Sequence, residues 1–355
     1  MALSLQRWRT LAPSDRERLA VAVTDVVLRG KDGFRYAGMK SFSGPAGAHS
    51  APVWVDETLS MWWVLILSGE FHPGYSARKR DLLCEQARLM SGDAEEVEAP
   101  REEDIVPYSS WGGWSPDRLK QRAPVRVSPF LISVLPVLQS TPGVEALIDP
   151  RALRLLQFDR HRHRPLALRA NEIASVHEHH SWAVPSTAEC EWAARAGAEV
   201  LFPWGDSLPV WMHCTDGGMR ELMRLAGQDG GSEKPDWSRY PDAIEKVFDA
   251  RFPLAYRTQE PAWARANGFG LVDANVASAW CMENGALHWT GGAAECFPWQ
   301  GCCEWACFLT AAFVRFTQDG KTQQGTSHPF RPVIRIDDVA AVEVLRHAAA
   351  LGLDR

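Results

Sequence analysis

Tryptophan is the residue that most limits how this chain can fold. The sequence holds 16 tryptophans against 5 tyrosines, and 46% of its 355 residues are hydrophobic. A large indole ring covers apolar area that short helices and strands leave open. The sequence therefore predicts a globular protein with one main core plus flanking pieces, in which aromatic rings fill an irregular, loop-rich interior.

Charge and hydropathy exclude two classes of partner. With 38 basic and 44 acidic residues, the net charge of -6 provides no overall field to attract a polyanion, so we expect no nucleic acid partner. The longest apolar run, residues 61–69, is too short to cross a bilayer and predicts a buried strand. The first residues lack the apolar stretch of a secretory signal, so we expect a cytoplasmic protein with no membrane span. The sequence leaves the oligomeric state open.

The two ends of the chain each predict an amphipathic helix. Near the start, Ser14 and Glu17 have the spacing of a capping box, and apolar residues recur on one helical face up to Gly30. A glycine-rich loop is predicted at residues 43–52. Near the end, Asp338 is the predicted N-cap of a last helix with an apolar stripe. The stripe consists of Val342, Leu345, Ala349 and Leu351. The predicted organisation is an N-terminal helix and linker at 1–55, a main domain at 56–336 and a C-terminal helix at 337–355.

The middle of the chain contains a helix and a turn with clear local signals. Ser186 and Glu189 form a second capping-box pattern, so residues 187–196 are predicted to be a short helix that Gly197 ends. The following "FPWGD", residues 202–206, predicts a tight turn that carries Trp204. Both pieces are interpreted as scaffold. Residues 215–242 are polar and glycine-rich, and predict a surface excursion around one short helix.

Four cysteines are concentrated in the segment "GGAAECFPWQGCCEWACF", residues 291–308. They are Cys296, Cys302, Cys303 and Cys307. Without an export signal, reduced thiols or metal ligands are expected here rather than disulfides. Soft thiolates suit a soft metal ion. The alternative is that these cysteines are small buried hydrophobic side chains in an aromatic pocket.

Six separate stretches, taken in order, resemble one family. They are "SGEFHPG" (68–74), "APVRVSPFLISVLPVLQ" (123–139), "VPSTAECEWAARAG" (184–197), "FPWGD" (202–206), "NGFGLVD" (267–273) and "FRPVIR" (330–335). Each motif alone is weak, but six in register are hard to obtain by chance. The chain resembles a divergent member of the formylglycine-generating enzyme, or sulfatase-modifying factor, family. The resemblance implies an α+β fold of the C-type-lectin-like kind, with short strands, much irregular chain and added terminal helices.

The resemblance also implies where chemistry would be carried. In the family, two cysteines bind copper(I) and activate oxygen, and Cys296 here stands at the first of their positions. Gly301 stands at the second, with Cys302 and Cys303 directly after it. Cys296 and Cys302 are therefore the candidate catalytic residues, and all three thiols are candidate copper ligands. The candidate pocket residues around them are Glu295, Trp299, Trp305 and Cys307.

Two departures from the family pattern decide the predicted function. Ala293 and Ala294 replace the serine and tryptophan expected before Cys296, and the 273–281 stretch lacks the glycine and glutamate of a calcium site. Neighbours of a metal ligand tune its chemistry, so these changes argue against the same reaction. We expect a non-catalytic binding or scaffold component that recognises a protein partner or peptide in a bacterial assembly, without required calcium. The alternative is a copper(I)-dependent oxidase that converts a peptide cysteine to formylglycine, or performs a related thiol oxidation.

Overall fold

The structure is a computed structural model. It describes residues 3–91, 119–144, 165–170, 172–173, 176, 182–213, 216–228, 240–251, 261–274, 279–291, 309–311, 314–315 and 328–353.

The described elements are helices and short to medium strands. The helices are α1 (Leu5–Thr10), α2 (Pro13–Val27), α3 (Ala77–Ser91), α4 (Thr187–Arg195), α5 (Asp216–Leu225), α6 (Tyr240–Arg251) and α7 (Asp338–Ala350). The strands are β1 (Phe34–Gly44), β2 (Gly47–Asp56), β3 (Met61–Ile66), β4 (Gly69–Phe71), β5 (Val125–Val127), β6 (Phe130–Ser133), β7 (Ala279–Glu283), β8 (Ala286–Thr290), β9 (Val314–Arg315) and β10 (Val333–Arg335). Short 3-10 turns occur at Val210–Met212 and Trp263–Arg265. Among the described helices, none has both the length and the apolar character that crossing a bilayer requires.

A five-stranded sheet forms the centre of the molecule. Its order is β1-β2-β3-β6-β10 and all of its pairings are antiparallel. Trp54 of β2 lies opposite Trp63 of β3, and Val64 lies opposite Ile132 of β6. Every residue of β6 is buried, so the sheet is covered on both faces at its middle. The fold is thus mixed α/β with antiparallel sheets, since β4 pairs with β5, and β7, β8 and β9 form a third sheet.

Two hydrophobic clusters fill the interior. The main cluster surrounds the central sheet and contains four tryptophans that are almost fully buried, namely Trp8, Trp54, Trp63 and Trp280. A second group, the Tyr75 cluster, gathers Tyr75, Phe202, Trp211 and the apolar face of α5. The predicted aromatic core is confirmed for these rings.

The predicted glycine-rich loop at 43–52 is wrong over most of its length. β1 and β2 form a hairpin of 11 and 10 residues, and only Pro45 and Ala46 separate them. Strand β2 becomes fully buried from Ala51 onward because it pairs with β3, which the local composition does not reveal. The main sheet therefore includes residues from both sides of the predicted boundary between residues 55 and 56. These two strands are also longer than the short strands expected.

The amphipathic helix near the start is confirmed, but its predicted cap is wrong. Helix α2 begins at Pro13, and its N-cap residue Ala12 makes no side-chain capping hydrogen bond. Proline suits the first helical position because its fixed φ matches the helix and its missing N–H has no partner there anyway. Glu17 instead accepts a hydrogen bond of 2.5 Å from the Tyr36 hydroxyl on β1.

The last helix packs against α2, with His347 Nε2 lying 2.9 Å from Asp25 Oδ2. Its N-cap is Asp337 rather than the predicted Asp338, and Asp337 Oδ1 accepts a hydrogen bond from Ala340 N at 2.7 Å. The predicted apolar stripe is wrong. The buried positions are Val344 and Ala348, four residues apart, with Leu345 partly buried, whereas Val342 and Leu351 are 48% and 43% exposed and Ala349 is exposed.

The segment 215–242 is only in part the surface excursion that was predicted. Within it, α5 buries Met219, Leu222 and Met223 in the Tyr75 cluster. The spacing of these three residues places them on one helical face. Gly218 allows close packing there, because an added Cβ would lie 2.1 Å from His213 O.

Candidate functional site

The predicted cysteine site lies outside the described residues. This holds for Cys296, Cys302, Cys303 and Cys307, and for Glu295, Trp299 and Trp305. The cysteines that the structure describes are Cys84, Cys190 and Cys281, and none of these three is assigned to a disulfide bond. Within the described part of the chain, no three histidine, cysteine or acidic side chains are placed to hold a metal ion. The copper ligands therefore stay a prediction.

Both flanks of the cysteine segment are anchored in buried structure. On one side β8 ends at Thr290, which is 3% exposed. On the other side Thr310 Oγ1 donates to Val200 O at 2.8 Å, and Ala311 N donates to the Tyr75 hydroxyl at 3.0 Å. The chain thus enters the cysteine segment from the β7–β8 hairpin and passes from the segment into the Tyr75 cluster.

A cleft of about 700 Å³ in the described surface could hold a ligand. We call it the Trp204 cleft. It lies between the β1–β2 turn, the 202–205 turn, the 3-10 turn at Trp263–Arg265 and the loop 266–274. Its lining residues are Ser43, Gly44, Pro45, Pro203, Trp204, Pro209, Arg251, Ala264, Arg265, Ala266, Asn267, Asp273 and Ala274.

One wall of the Trp204 cleft is apolar and rigid. Phe202 and Gly205 exchange two backbone hydrogen bonds of 2.8 and 3.0 Å, which confirms the predicted turn. The Trp204 ring stacks on Phe202 with centroids 5.5 Å apart and planes 8° from parallel. Its Nε1 donates to Ser207 O at 3.1 Å, so the ring is held from two sides. Pro203 and Pro209 extend this wall.

The base of the cleft is organised by Asn267, which is 7% exposed. Its Nδ2 donates to Ala193 O at 2.8 Å and to Ala194 O at 3.2 Å, the last carbonyls of α4. Its Oδ1 accepts from Phe269 N and Leu271 N, both at 3.0 Å. The side-chain amide of Asn267 thus holds the 267–271 loop together. It also donates to carbonyls in the last turn of α4, which have no partner within the helix.

Opposite charges meet at the edge of the cleft. Arg265 Nη2 lies 2.7 Å from Asp273 Oδ2, and Asp273 is 5% exposed with a left-handed φ of 51°. Asp273 is the first residue of the 273–281 stretch, and its carboxylate binds an arginine. Arg251, the last residue of α6, lies at the mouth with its guanidinium carbon 5.9 Å from the centroid of the Trp211 ring.

Helix α4 is the scaffold behind the cleft. Its capping box is confirmed, since Ser186 Oγ accepts from Glu189 N and Glu189 Oε2 accepts from Ser186 N. The helix ends at Arg195, where Ala196 takes a left-handed conformation before Gly197. Glu189 also binds Arg335 of β10 through two oxygens at 2.8 and 2.9 Å.

A buried ion pair joins α4 to the β4 end. Glu191 Oε1 lies 2.7 Å from Arg195 Nη2 and accepts a hydrogen bond from Gly74 N at 2.9 Å. Arg195 also donates to His72 O and Gly74 O. Burial raises the pKa of Glu191 to about 7, although the neighbouring Arg195 acts in the opposite direction. Since the pair is buried and neither residue belongs to the cleft lining, its role is structural.

Sequence reasoning did not find the Trp204 cleft. The 202–206 turn was interpreted as scaffold, yet its tryptophan forms a wall of the cleft. Arg251 and Arg265 were not predicted as site residues, because the sequence around each of them contains no motif that indicates a binding site. The available signal was the sequence Phe202–Pro203–Trp204, where a large ring between a proline and a glycine turn is held near the surface.

No family model matches the chain, and a search of the curated proteins finds no match.

Proposed function

We propose that this protein is a binding component whose Trp204 cleft takes an extended segment of a protein partner. The observation that carries the proposal is the composition of the cleft. Its walls are prolines and a stacked tryptophan, and its base is an amide with all its hydrogen bonds made. The volume of about 700 Å³ lies in the range of about 300–1,000 Å³ usual for ligand sites.

The chemistry of the lining favours binding over catalysis. Among the described lining residues there is no histidine, cysteine, lysine or tyrosine, and the one carboxylate, Asp273, is ion-paired with Arg265. The one hydroxyl in that lining is Ser43, and a serine nucleophile needs an adjacent general base. General acid–base catalysis likewise needs such a group within reach of the substrate. Rigid prolines and aromatic rings instead offer contact area at a low cost in conformational entropy, as in grooves that bind extended peptides.

We further propose that the framework is a divergent C-type-lectin-like fold of the formylglycine-generating enzyme family, in a bacterial assembly. The support is that the motif residues behave as a framework. Asn267 links its loop to α4, Glu189 pairs with Arg335, and Arg331 donates to Val134 O and, at 2.6 Å, to Val272 O. These contacts join four of the six motifs to one another or to the central sheet.

Peptide selection tests the binding function. The purified protein is panned against a displayed library of random peptides, and enriched peptides are measured by fluorescence anisotropy. We expect the Trp204→Ala variant to bind at least about tenfold more weakly, as for an aromatic residue at the centre of an interface. Trp289→Ala, a partly buried tryptophan outside the cleft lining, is the matched control and should bind like the parent. Absence of enrichment, or equal binding by Trp204→Ala, contradicts the proposal.

The copper(I)-dependent oxidase is the second candidate function. The observation in its favour is that both flanks of the cysteine segment, at Thr290 and Thr310, are buried and hydrogen-bonded. Anchored ends are what a fixed pair of thiolate ligands would need. Protein reconstituted with copper(I) and analysed for metal separates the two functions. Stoichiometric copper that is lost in Cys296→Ala supports the oxidase, and no bound copper supports the binding protein.

A further inference from the structure

Arg251 is one of three charged residues in the described lining of the Trp204 cleft. Among the described residues it has no ion-pair partner, and its side chain is exposed at the mouth of the Trp204 cleft. The other two charged residues in the lining, Arg265 and Asp273, neutralise each other at 2.7 Å. The described lining therefore has a net charge of one positive unit, although the whole chain is acidic at -6.

Glu221, an acidic residue whose pKa is affected by the charge of Arg251, is already ion-paired with Arg224. Glu221 of α5 feels the charge of Arg251, but it forms a two-oxygen ion pair with Arg224, with both distances 2.7 Å. An intramolecular partner for Arg251 is thus not supplied by α5. An arginine fork offers paired donors that match the geometry of a carboxylate, so it suits a carboxylate brought by a ligand.

The position of Arg251 is partly fixed before any ligand binds. Its guanidinium lies over the buried ring of Trp211, which is 3% exposed. Its backbone carbonyl accepts a hydrogen bond from Arg265 Nη1 at 3.5 Å, which ties the end of α6 to the cleft edge. Stacking on an aromatic ring limits the rotamers of the arginine, and less entropy is then lost on binding.

We propose that the Trp204 cleft selects peptide segments that carry an aspartate or glutamate, whose carboxylate binds the Arg251 guanidinium. The proposal rests on the peptide-binding function above and adds the chemical class of the ligand. Prolines and Trp204 contact the apolar part of the segment, and Arg251 sets where its acidic residue lies. A single arginine without an ion-pair partner among the described residues suits one carboxylate, whereas a polyanion would need a cluster of cations.

The test compares three proteins in one selection. Parent, Arg251→Glu and Arg220→Glu are panned against the same random peptide library, and the enriched sequences are read. Arg220 is the matched control, because it is an exposed arginine of α5 with the same charge change and lies outside the cleft lining. We expect an acidic residue at one fixed position with the parent and with Arg220→Glu. With Arg251→Glu we expect that position to change to lysine or arginine.

Affinities complete the test. Peptides selected on the parent should bind Arg251→Gln about fivefold more weakly, the effect of a partly exposed charge pair, and the difference should shrink as salt is added. Circular dichroism confirms that the variants are folded. Enrichment without an acidic position, or an acidic position that survives in Arg251→Glu, overturns the acidic specificity and leaves peptide binding in place. No enrichment with the parent overturns peptide binding itself, and this inference with it.

Discussion

Replacing Asn267 by alanine is the most direct test of how the base of the cleft is held. The change removes a side chain that makes four hydrogen bonds, two as donor and two as acceptor. All four partners are backbone groups of Ala193, Ala194, Phe269 and Leu271, and each of these residues is buried. A methyl group cannot replace any of these bonds.

The expected loss of stability follows from counting those bonds. A hydrogen bond contributes about 1 kcal/mol net, so four give about 4 kcal/mol. The Trp204 cleft is open, and water that enters beside Asn267 can recover part of this, which lowers the estimate to about 2–4 kcal/mol. Urea unfolding followed by tryptophan fluorescence measures the loss as a fall in the transition midpoint.

Two further variants make the measurement decisive. Asn284→Ala is the matched control, because Asn284 is exposed in the β7–β8 turn, and alanine at its left-handed φ of 50° should cost about 1 kcal/mol. Asn267→Asp keeps the two acceptor bonds but turns an oxygen toward two carbonyls, so it should be destabilising near neutral pH and recover as the carboxyl is protonated. A loss for Asn267→Ala no larger than that for Asn284→Ala would refute the reasoning.

Three other predictions follow from contacts elsewhere in the chain. Burial lowers the pKa of His328 from 6.5 to about 4, so the unfolded chain binds the proton first and about 3 kcal/mol of stability is lost as pH falls between those values. Thermal melts from pH 7 to 4 should show a flatter acid limb for His328→Gln, and an unchanged limb would contradict this origin. Gly74→Ala should lower the melting temperature far more than Gly143→Ala. Both glycines have positive φ, but only at Gly74 would an added Cβ lie 2.2 Å from a backbone oxygen, that of Lys120. Similar shifts in melting temperature would show that this contact does not matter. Glu189→Ala should cost about 1–2 kcal/mol in urea unfolding through loss of the capping bond and of a half-exposed ion pair with Arg335, and Arg335→Ala, which keeps the cap, should cost less.

Features that depend on neighbours in sequence were predictable. The capping box of α4 needs only Ser186 and Glu189, three residues apart, and it forms as expected. The strand at β3 is marked by its own apolar run. The hairpin of β1 and β2 was not predictable, because the burial of Ala51 comes from the distant β3 and α2 rather than from local composition.

The candidate site shows the same limit more strongly. The Trp204 cleft is built from the ends of a hairpin, two turns and a helix, and each piece alone has the pattern of an ordinary loop. Arg251 and Arg265 are 14 residues apart, and they line the same cleft as Pro45 only because the chain is folded. The cysteine segment carried the only local signal for chemistry, and Cys296 and Cys302 lie outside the described residues.

The Tyr75 hydroxyl has a consequence for how the chain reaches its native state. It contacts Leu201 O at 3.0 Å, Thr310 Oγ1 at 3.2 Å and Ala311 N at 3.0 Å, so one phenol joins partners up to 236 residues away. Loops of this length must close before the phenol gains any of its partners, and non-local pairing of this kind makes folding slow. Removing the hydroxyl in Tyr75→Phe should therefore accelerate unfolding while leaving the refolding rate almost unchanged, because these bonds form late.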